Sequence, residues 1–209
     1  VMLINYIEKV RDYTSLIISI ISSYVYFTDG DFKNIIHGIG AYLTIDLFIN
    51  KKIDIYIHHI IGLILYSFMY SNNLSDESRK VIFRPFIAVE VSSVFYNIEC
   101  LYPKNKFVLN KILFLTTFFY YRIYRYYYDV LLNDEMYNTM KENSSMYMYF
   151  AIYNLYFLNL YWFSKMIKNL SKEGLSFLIT THDHKFIKFF KDEKFYELIN
   201  GKLINRTLK

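Results

Sequence analysis

Two adjacent histidines, His58 and His59, are the residues in this chain best suited to acid–base or nucleophilic chemistry near neutral pH. Acidic side chains lie on either side of them in sequence. Asp46 precedes and Glu90 follows, and either carboxylate can orient an imidazole as in a hydrolase dyad. Successive helical residues diverge by about 100°, so only one of the two histidines can face a given centre directly. A second reading makes the same four residues metal ligands, since His, His, Asp and Glu suit iron or zinc. Adjacent histidines ligate one ion poorly from a regular helix, and no His-x-x-x-His spacing occurs, so no metal is expected. The bland third reading is a hydrogen-bonded packing role.

Further polar groups follow. Glu90, Ser93 and Asn97 recur at i, i+3 and i+7, which puts them on one helical face. Arg84 and Pro85 stand ahead of them, and the proline can open a backbone carbonyl. Arg125 and Asp129 are four apart and can pair locally, which reads as structural. Arg122 has no such neighbour and is expected to pair with Glu90 on another helix. Asn154 and Asn159 complete the set. The candidate catalytic residues are therefore His58, His59, Asp46 and Glu90, and the candidate substrate-binding residues are Arg122, Ser93, Asn97 and Arg84. His37 and the His182-Asp183-His184 cluster fall outside this group, the latter reading as surface.

These residues matter because of where they sit. A membrane span needs roughly 20 mostly apolar residues, and six blocks approach that: about 13–27, 32–49, 55–71, 81–101, 107–132 and 146–167. The first three are short and require tilt or local thinning. A charged group inside a span costs ~3 kcal/mol on insertion scales, so such groups face the bundle interior and mark function. The connecting stretches 28–31, 50–54, 72–80, 102–106 and 133–145 are brief and polar. Short links of this kind make sequential helices antiparallel neighbours. The chain divides into a six-helix transmembrane domain over residues 1–168 and a basic cytosolic tail over 169–209.

Composition agrees. Hydrophobic residues form 54% of the 209, clustered in blocks, with 6 glycines and 2 prolines to interrupt helices. Ile, Asn, Lys, Tyr and Phe all have A/T-rich codons, so the 23 tyrosines partly reflect nucleotide composition. Net charge is +5, with lysines concentrated from Lys165 to Lys194. A basic tail beside a last span faces cytoplasm and anionic lipid, and nucleic acid is a poor partner for a chain this apolar. Lys9, Arg11, Lys51, Lys52, Lys104 and Lys106 share the tail's side, against Lys33, Arg79, Lys80 and Lys141 opposite. Both termini are thus expected in the cytosol.

Cys100 is the only cysteine, so no intrachain disulfide or cysteine zinc site forms. Val1 ahead of Met2 reads as a trimmed or partial start, and no cleavable signal pattern precedes the first span. Sequons at Asn73 and Asn143 read as accidental in an Asn-rich chain.

Five sequence pieces, in order on successive helices, resemble the TLC domain family. They are Tyr42-Leu43-Thr44-Ile45-Asp46-Leu47, His58-His59, Glu90-Val91-Ser92-Ser93-Val94-Phe95-Tyr96-Asn97, Phe119-Tyr120-Tyr121-Arg122-Ile123 and Leu158-Asn159-Leu160-Tyr161-Trp162-Phe163-Ser164-Lys165. The last looks like the closing span of the family's TLCD branch, whose members influence membrane lipid composition. The resemblance implies a barrel-like helical bundle in the endoplasmic reticulum or a related internal membrane, with a central lipid-accommodating cavity. Ceramide synthases, more distant relatives, join an acyl group from acyl-CoA to a sphingoid amine through two histidines and two aspartates. His58 and His59 match the histidine pair. Glu90 stands where the first aspartate would be and Ser93 where the second would be.

Two functional classes follow. In the first, one histidine deprotonates the acceptor or takes the acyl group, Glu90 or Asp46 holds it, and Arg122 binds a head-group phosphate or neutralises Glu90. No bound cofactor is expected, and acyl-CoA would be a substrate. In the second, the protein is a non-catalytic lipid sensor, carrier or trafficking adaptor, and the polar residues hold helices together. A channel would want discontinuous helices along a polar path and ranks third. Membrane lipid is the expected partner, with a homo-oligomer left open.

Overall fold

The computed structural model describes residues 2–50, 52–70, 74–102, 108–143, 146–172, 195–199 and 202–206. Two compact units divide the chain at Phe163/Ser164. In the first, the helices are α1 (Met2–Thr28), α2 (Phe32–Ile49), α3 (Ile53–Met69), α4 (Asp76–Ala88), α5 (Glu90–Leu101), α6 (Val108–Phe118), α7 (Asp134–Asn143) and the start of α8 (Met146–Lys172). The second unit holds the end of α8 and a hairpin of β1 (Phe195–Ile199) and β2 (Lys202–Arg206), antiparallel with Leu198 opposite Leu203.

α1 shows why this bundle forms. Its Val10, Tyr13, Ile17, Ile20, Tyr24 and Phe27 recur every three or four residues, and all are exposed. Its Ser19 and Ser22, on the other face, are 1% and 0% exposed. A water-soluble helix is built the other way round. α8 repeats the pattern, with Tyr147, Phe150, Tyr153, Phe157 and Tyr161 facing outward while Asn159 is buried. Phe48 on α2 is 87% exposed and Leu109 on α6 67%. An apolar exterior this extensive, around polar interior groups, fits a lipid surround rather than water.

Helix neighbours close into a ring. α1 packs against α2 and α5, α5 against α6, and α2 against α3. Side-chain bonds complete it, from α8 to the segment after α6 (Asn159 to Arg122) and from α8 to α3 (Trp162 to Asp54). The α1–α5 contact joins helices far apart in sequence and is not set by any short loop.

Local structure departs from the sequence expectation in several places. The expected single span 81–101 is two helices meeting at Val89, and Pro85, inside α4, withholds the helical amide proton from the carbonyl of residue 81. The expected span 107–132 is α-helical only to Phe118, then π-helical over Phe119–Arg125 and Tyr127–Leu131. The expected loop 133–145 contains α7, started by Asn133, whose Oδ1 accepts from the Met136 amide at 3.0 Å. α4 begins earlier than expected because Ser75 caps it, accepting from the Ser78 amide.

Among the described residues, one helical run, Asp76–Leu101, is long and apolar enough by length and composition to cross a membrane, with Ile53–Phe68 a shorter apolar stretch. Tyrosine-rich α1 and α8 fall below that standard because a phenol counts as polar, although most of its ring is not. The sequon at Asn73, the Ser144 and Ser145 of the other, and the tail segments 177–179, 182–184 and 186–190 lie outside the described residues.

Candidate functional site

Asp46 sits in the last turn of α2, 1% exposed. That turn is closed by Asn50, whose amide donates to the Asp46 carbonyl at 2.8 Å and whose Nδ2 donates to Oδ2 at 3.3 Å. His59, one to two turns into α3 and 5% exposed, brings Nδ1 to 3.2 Å from the same Oδ2. The pair is close enough for an ion pair but not aligned as a hydrogen bond, and Nδ1 makes none. Asp46 Oδ1 has Arg11 Nε at 3.7 Å. Arg11 is anchored by two short bonds to Asp12, at 2.6 and 2.9 Å. Burial alone would lower the Arg11 pKa, but the hydrogen bond and charge of Asp12, with Asp46 behind it, raise it overall. Tyr42, one turn before Asp46, meets the His59 ring edge-on at 6.0 Å.

His58 points elsewhere, as its angular offset requires. Its ring lies 5.1 Å from Trp162 in an edge-on contact and 5.5 Å from His59. Trp162 is held by donating Nε1 to Asp54 Oδ2 at 3.0 Å. His58 Nδ1 is covered and unbonded. Each histidine therefore has one buried nitrogen not committed to a partner.

A second polar group lies on α1, α5 and the π segment. Ser19 donates to Glu90 Oε2 at 3.1 Å, and Asn97 Nδ2 donates to Ser19 Oγ at 3.3 Å. Arg122, 6% exposed, donates from Nε to Ser92 Oγ and from a terminal nitrogen to Ser93 Oγ, both at 2.7 Å. The expected Glu90–Arg122 pairing is thus replaced. Glu90 bonds to the α1 serine, and Arg122 bonds to two hydroxyls, since Ser92 and Ser93 lie nearer the wide π turn. Ser92 also donates to the Val89 carbonyl at 2.8 Å, and Asn159 donates to the Arg122 carbonyl at 3.3 Å.

Arg84 is not part of either group. It is half-exposed, pairs with Asp29 at 3.0 Å and lies over the Tyr26 ring at 5.7 Å. The structure thus brings Asp46 to His59, Glu90 to Asn97 and Ser93 to Arg122, leaving Arg84 at the α1–α2 loop. Sequence reasoning overlooked Arg11, Ser19, Asp54 and Ser92 as site residues. The spacing of Ser15, Ser19 and Ser22 in the largely apolar stretch 15–27 is the available signal. The expected Arg125–Asp129 pair is present at 2.6 Å.

The family model described as TLC domain matches residues 10–168. The chain belongs to the TLC domain family. Comparison with curated proteins and with solved structures gives no significant match. The TLC domain is a membrane domain, so this is a membrane protein, and the inside-out faces of α1 and α8 have their explanation.

A cavity of about 70 Å³ lies between α2, α3, α4 and the start of α5, lined mainly by apolar side chains and by Glu90. Pockets for drug-sized ligands run to ~300–1,000 Å³, so this cavity does not hold an acyl chain as it stands. Among the described residues no group of three or more His, Cys, Asp or Glu side chains is arranged to hold a metal ion.

Proposed function

We propose that this TLC domain protein is a six-span membrane protein that acts on lipid, transferring an acyl group from acyl-CoA to a lipid amine or hydroxyl. The observation that carries the reading is the buried Asp46–His59 pair, 3.2 Å apart, with Arg11 behind it. A carboxylate beside an imidazole is the arrangement a general base needs. The pair lies within about two turns of the α2–α3 link, where Lys51 and Lys52 would favour the cytosolic face and the phosphates of acyl-CoA.

His59 would take the proton as the acceptor nitrogen or oxygen attacks the thioester carbonyl. The carbon–sulfur bond then breaks, and the coenzyme thiolate leaves and recovers the proton. Asp46 would hold the imidazole and stabilise its charged form. Residue 1–168 would be the working domain and 169–209 its cytosolic tail, in the endoplasmic reticulum or a related membrane.

A second reading, a non-catalytic lipid sensor or carrier, is favoured by one specific observation. Ser93, at the second acid position of the synthase pattern, is occupied as an acceptor for Arg122. Purified protein should be given labelled acyl-CoA with sphingoid and lysolipid acceptors, alongside His59→Ala and Asp46→Asn. Loss of a general base lowers rates by ~10²–10⁴. Product formation that drops by this much in folded His59→Ala supports transfer. No product with any acceptor, with lipid co-purifying, supports the carrier.

A further inference from the structure

Several polar groups with no task in acyl transfer stand in the first unit beyond the Asp46–His59 pair, and with that pair they suggest a column. At the Asp31 end, His37 bonds to both neighbouring tyrosines: Nδ1 lies 3.1 Å from the Tyr66 hydroxyl and Nε2 2.9 Å from that of Tyr70. His37 and Tyr70 are exposed, so this end reaches the surroundings. Tyr66 passes inward across Gly40, whose missing side chain makes room for its ring. Tyr66 and Glu90 line the same 70 Å³ cavity. A cavity needs ~10–15 Å³ of probe-occupied volume to hold one water, so this one has room for a few.

From Glu90 the column continues to Ser19 at 3.1 Å. One turn along α1, Ser15 lies beside Tyr42, whose ring centroid is 6.0 Å from that of His59. Asp46 and His59 end the column beside Arg11 at the opposite end of α2. Every member is a group that can both give and receive a proton or can carry one in a bonded water. Three breaks interrupt the bonded path, at the cavity, between Ser19 and Ser15, and between Tyr42 and the Asp46–His59 pair, and at each a water molecule would carry the proton.

We propose that this column conducts protons across the membrane, entering at His37 and Tyr66, passing through Glu90 and leaving at the Asp46–His59 pair. Each hop breaks an O–H or N–H bond on one member and forms one on the next, so no co-reactant is consumed. Glu90 is the charged group in the cavity lining and the member the proton must visit. Arg122, close by and bonded to Ser92 and Ser93, balances the carboxylate when the proton has moved on.

The test uses the full chain in phosphatidylcholine–phosphatidylglycerol vesicles loaded with a pH-sensitive dye, with a potassium gradient and valinomycin supplying the voltage. No acyl-CoA or acceptor is present, so the outcome does not depend on the acyl-transfer reading. Protein-containing vesicles should change internal pH about tenfold faster than protein-free ones, and Glu90→Gln and Tyr66→Phe should each return the rate to about a tenth or less. Tyr66→Phe keeps the ring against Gly40 and removes only the hydroxyl, so it decides the matter if Glu90→Gln fails to reconstitute. A wild-type rate equal to that of protein-free vesicles overturns the proposal. So does a rate that folded Tyr66→Phe leaves unchanged.

Discussion

Replacing Ser92 and Ser93 together with alanine should cost more stability than the two single changes added. Arg122 is buried and donates to both hydroxyls at 2.7 Å. Bonds to charged groups contribute ~1.5–3 kcal/mol in soluble proteins, whereas interhelical polar contacts in membranes average ~0.6 and reach ~1.7 kcal/mol. Both bonds here are short, charge-assisted and dry, so each single alanine should cost ~1–2 kcal/mol, the upper part of the membrane range. Ser92→Ala should be slightly the worse of the two, because the Ser92 hydroxyl also donates to the Val89 carbonyl, which would keep only the Ser92 amide.

The second loss differs in kind. It leaves a buried guanidinium without either hydroxyl, and an uncompensated buried charge costs ~3–5 kcal/mol. The pair should therefore be non-additive by ~1 kcal/mol or more. Arg122→Met placed on the double-alanine background should recover much of the loss, since no charge then needs a partner. The assay is reversible unfolding of the purified protein by a denaturing detergent titrated into mild micelles, followed by helicity. Strict additivity, no recovery with Arg122→Met, or a larger effect from Glu90→Gln than from the double alanine would each refute the assignment of Arg122 to the serines.

Two further outcomes are expected. Gly40→Ala should destabilise by ~1–3 kcal/mol through overpacking, because its new Cβ would come within 2.8 Å of the Tyr66 ring, whereas Gly38→Ala meets nothing within 4 Å and should be neutral or mildly stabilising; melting temperatures in one detergent separate the two. Trp162 is the sole tryptophan, so its emission reports the bond to Asp54. Asp54→Ala should shift the emission maximum of folded protein, while Arg84→Ala, which breaks an ion pair at the other end of α2, should leave it in place.

The helices were largely legible in the sequence and their mutual rotations were not. Phe32–Ile49 is bounded by Asp31, which caps its first turn, and by Asn50, which closes its last, and both are visible as polar punctuation. The Arg125–Asp129 pair was readable because i, i+4 partners share one helix. Partners on different helices depend on which face each helix turns inward, and here aromatic residues on nearly every face blur that signal. Glu90 was therefore matched to Arg122 on charge alone, when a serine on α1 lay closer to one and two serines on α5 to the other. Arg11 counted as a topology signal and proved to be a neighbour of Asp46. α7 was obscured by its polar composition, although Asn133 followed by Asp134-Glu135 is an N-terminal signature. Asn200-Gly201 between two apolar-rich stretches is likewise a hairpin signal that went unread.

The irregular backbone explains why these polar groups gather where they do. In a membrane interior a carbonyl or amide freed from its helix must find a partner in the protein. The break at Val89 frees groups on α4 and α5, and the π turns after Phe118 loosen those of the next helix. Ser92 closes the first defect by donating both its amide and its hydroxyl to the Val89 carbonyl, and the hydroxyl accepts from Arg122. Asn159 closes the second by donating to the Arg122 carbonyl. Each defect is thus repaired by a residue that also fixes Arg122, so neither α5 nor the π segment can straighten without releasing a buried charge. A packing role alone would be met more simply by regular helices and apolar side chains, since buried ion and polar groups can often be replaced by apolar ones at no loss. That the chain keeps two mutually dependent irregularities around one arginine, beside Glu90, argues that the Glu90–Arg122 region is maintained for work rather than for cohesion.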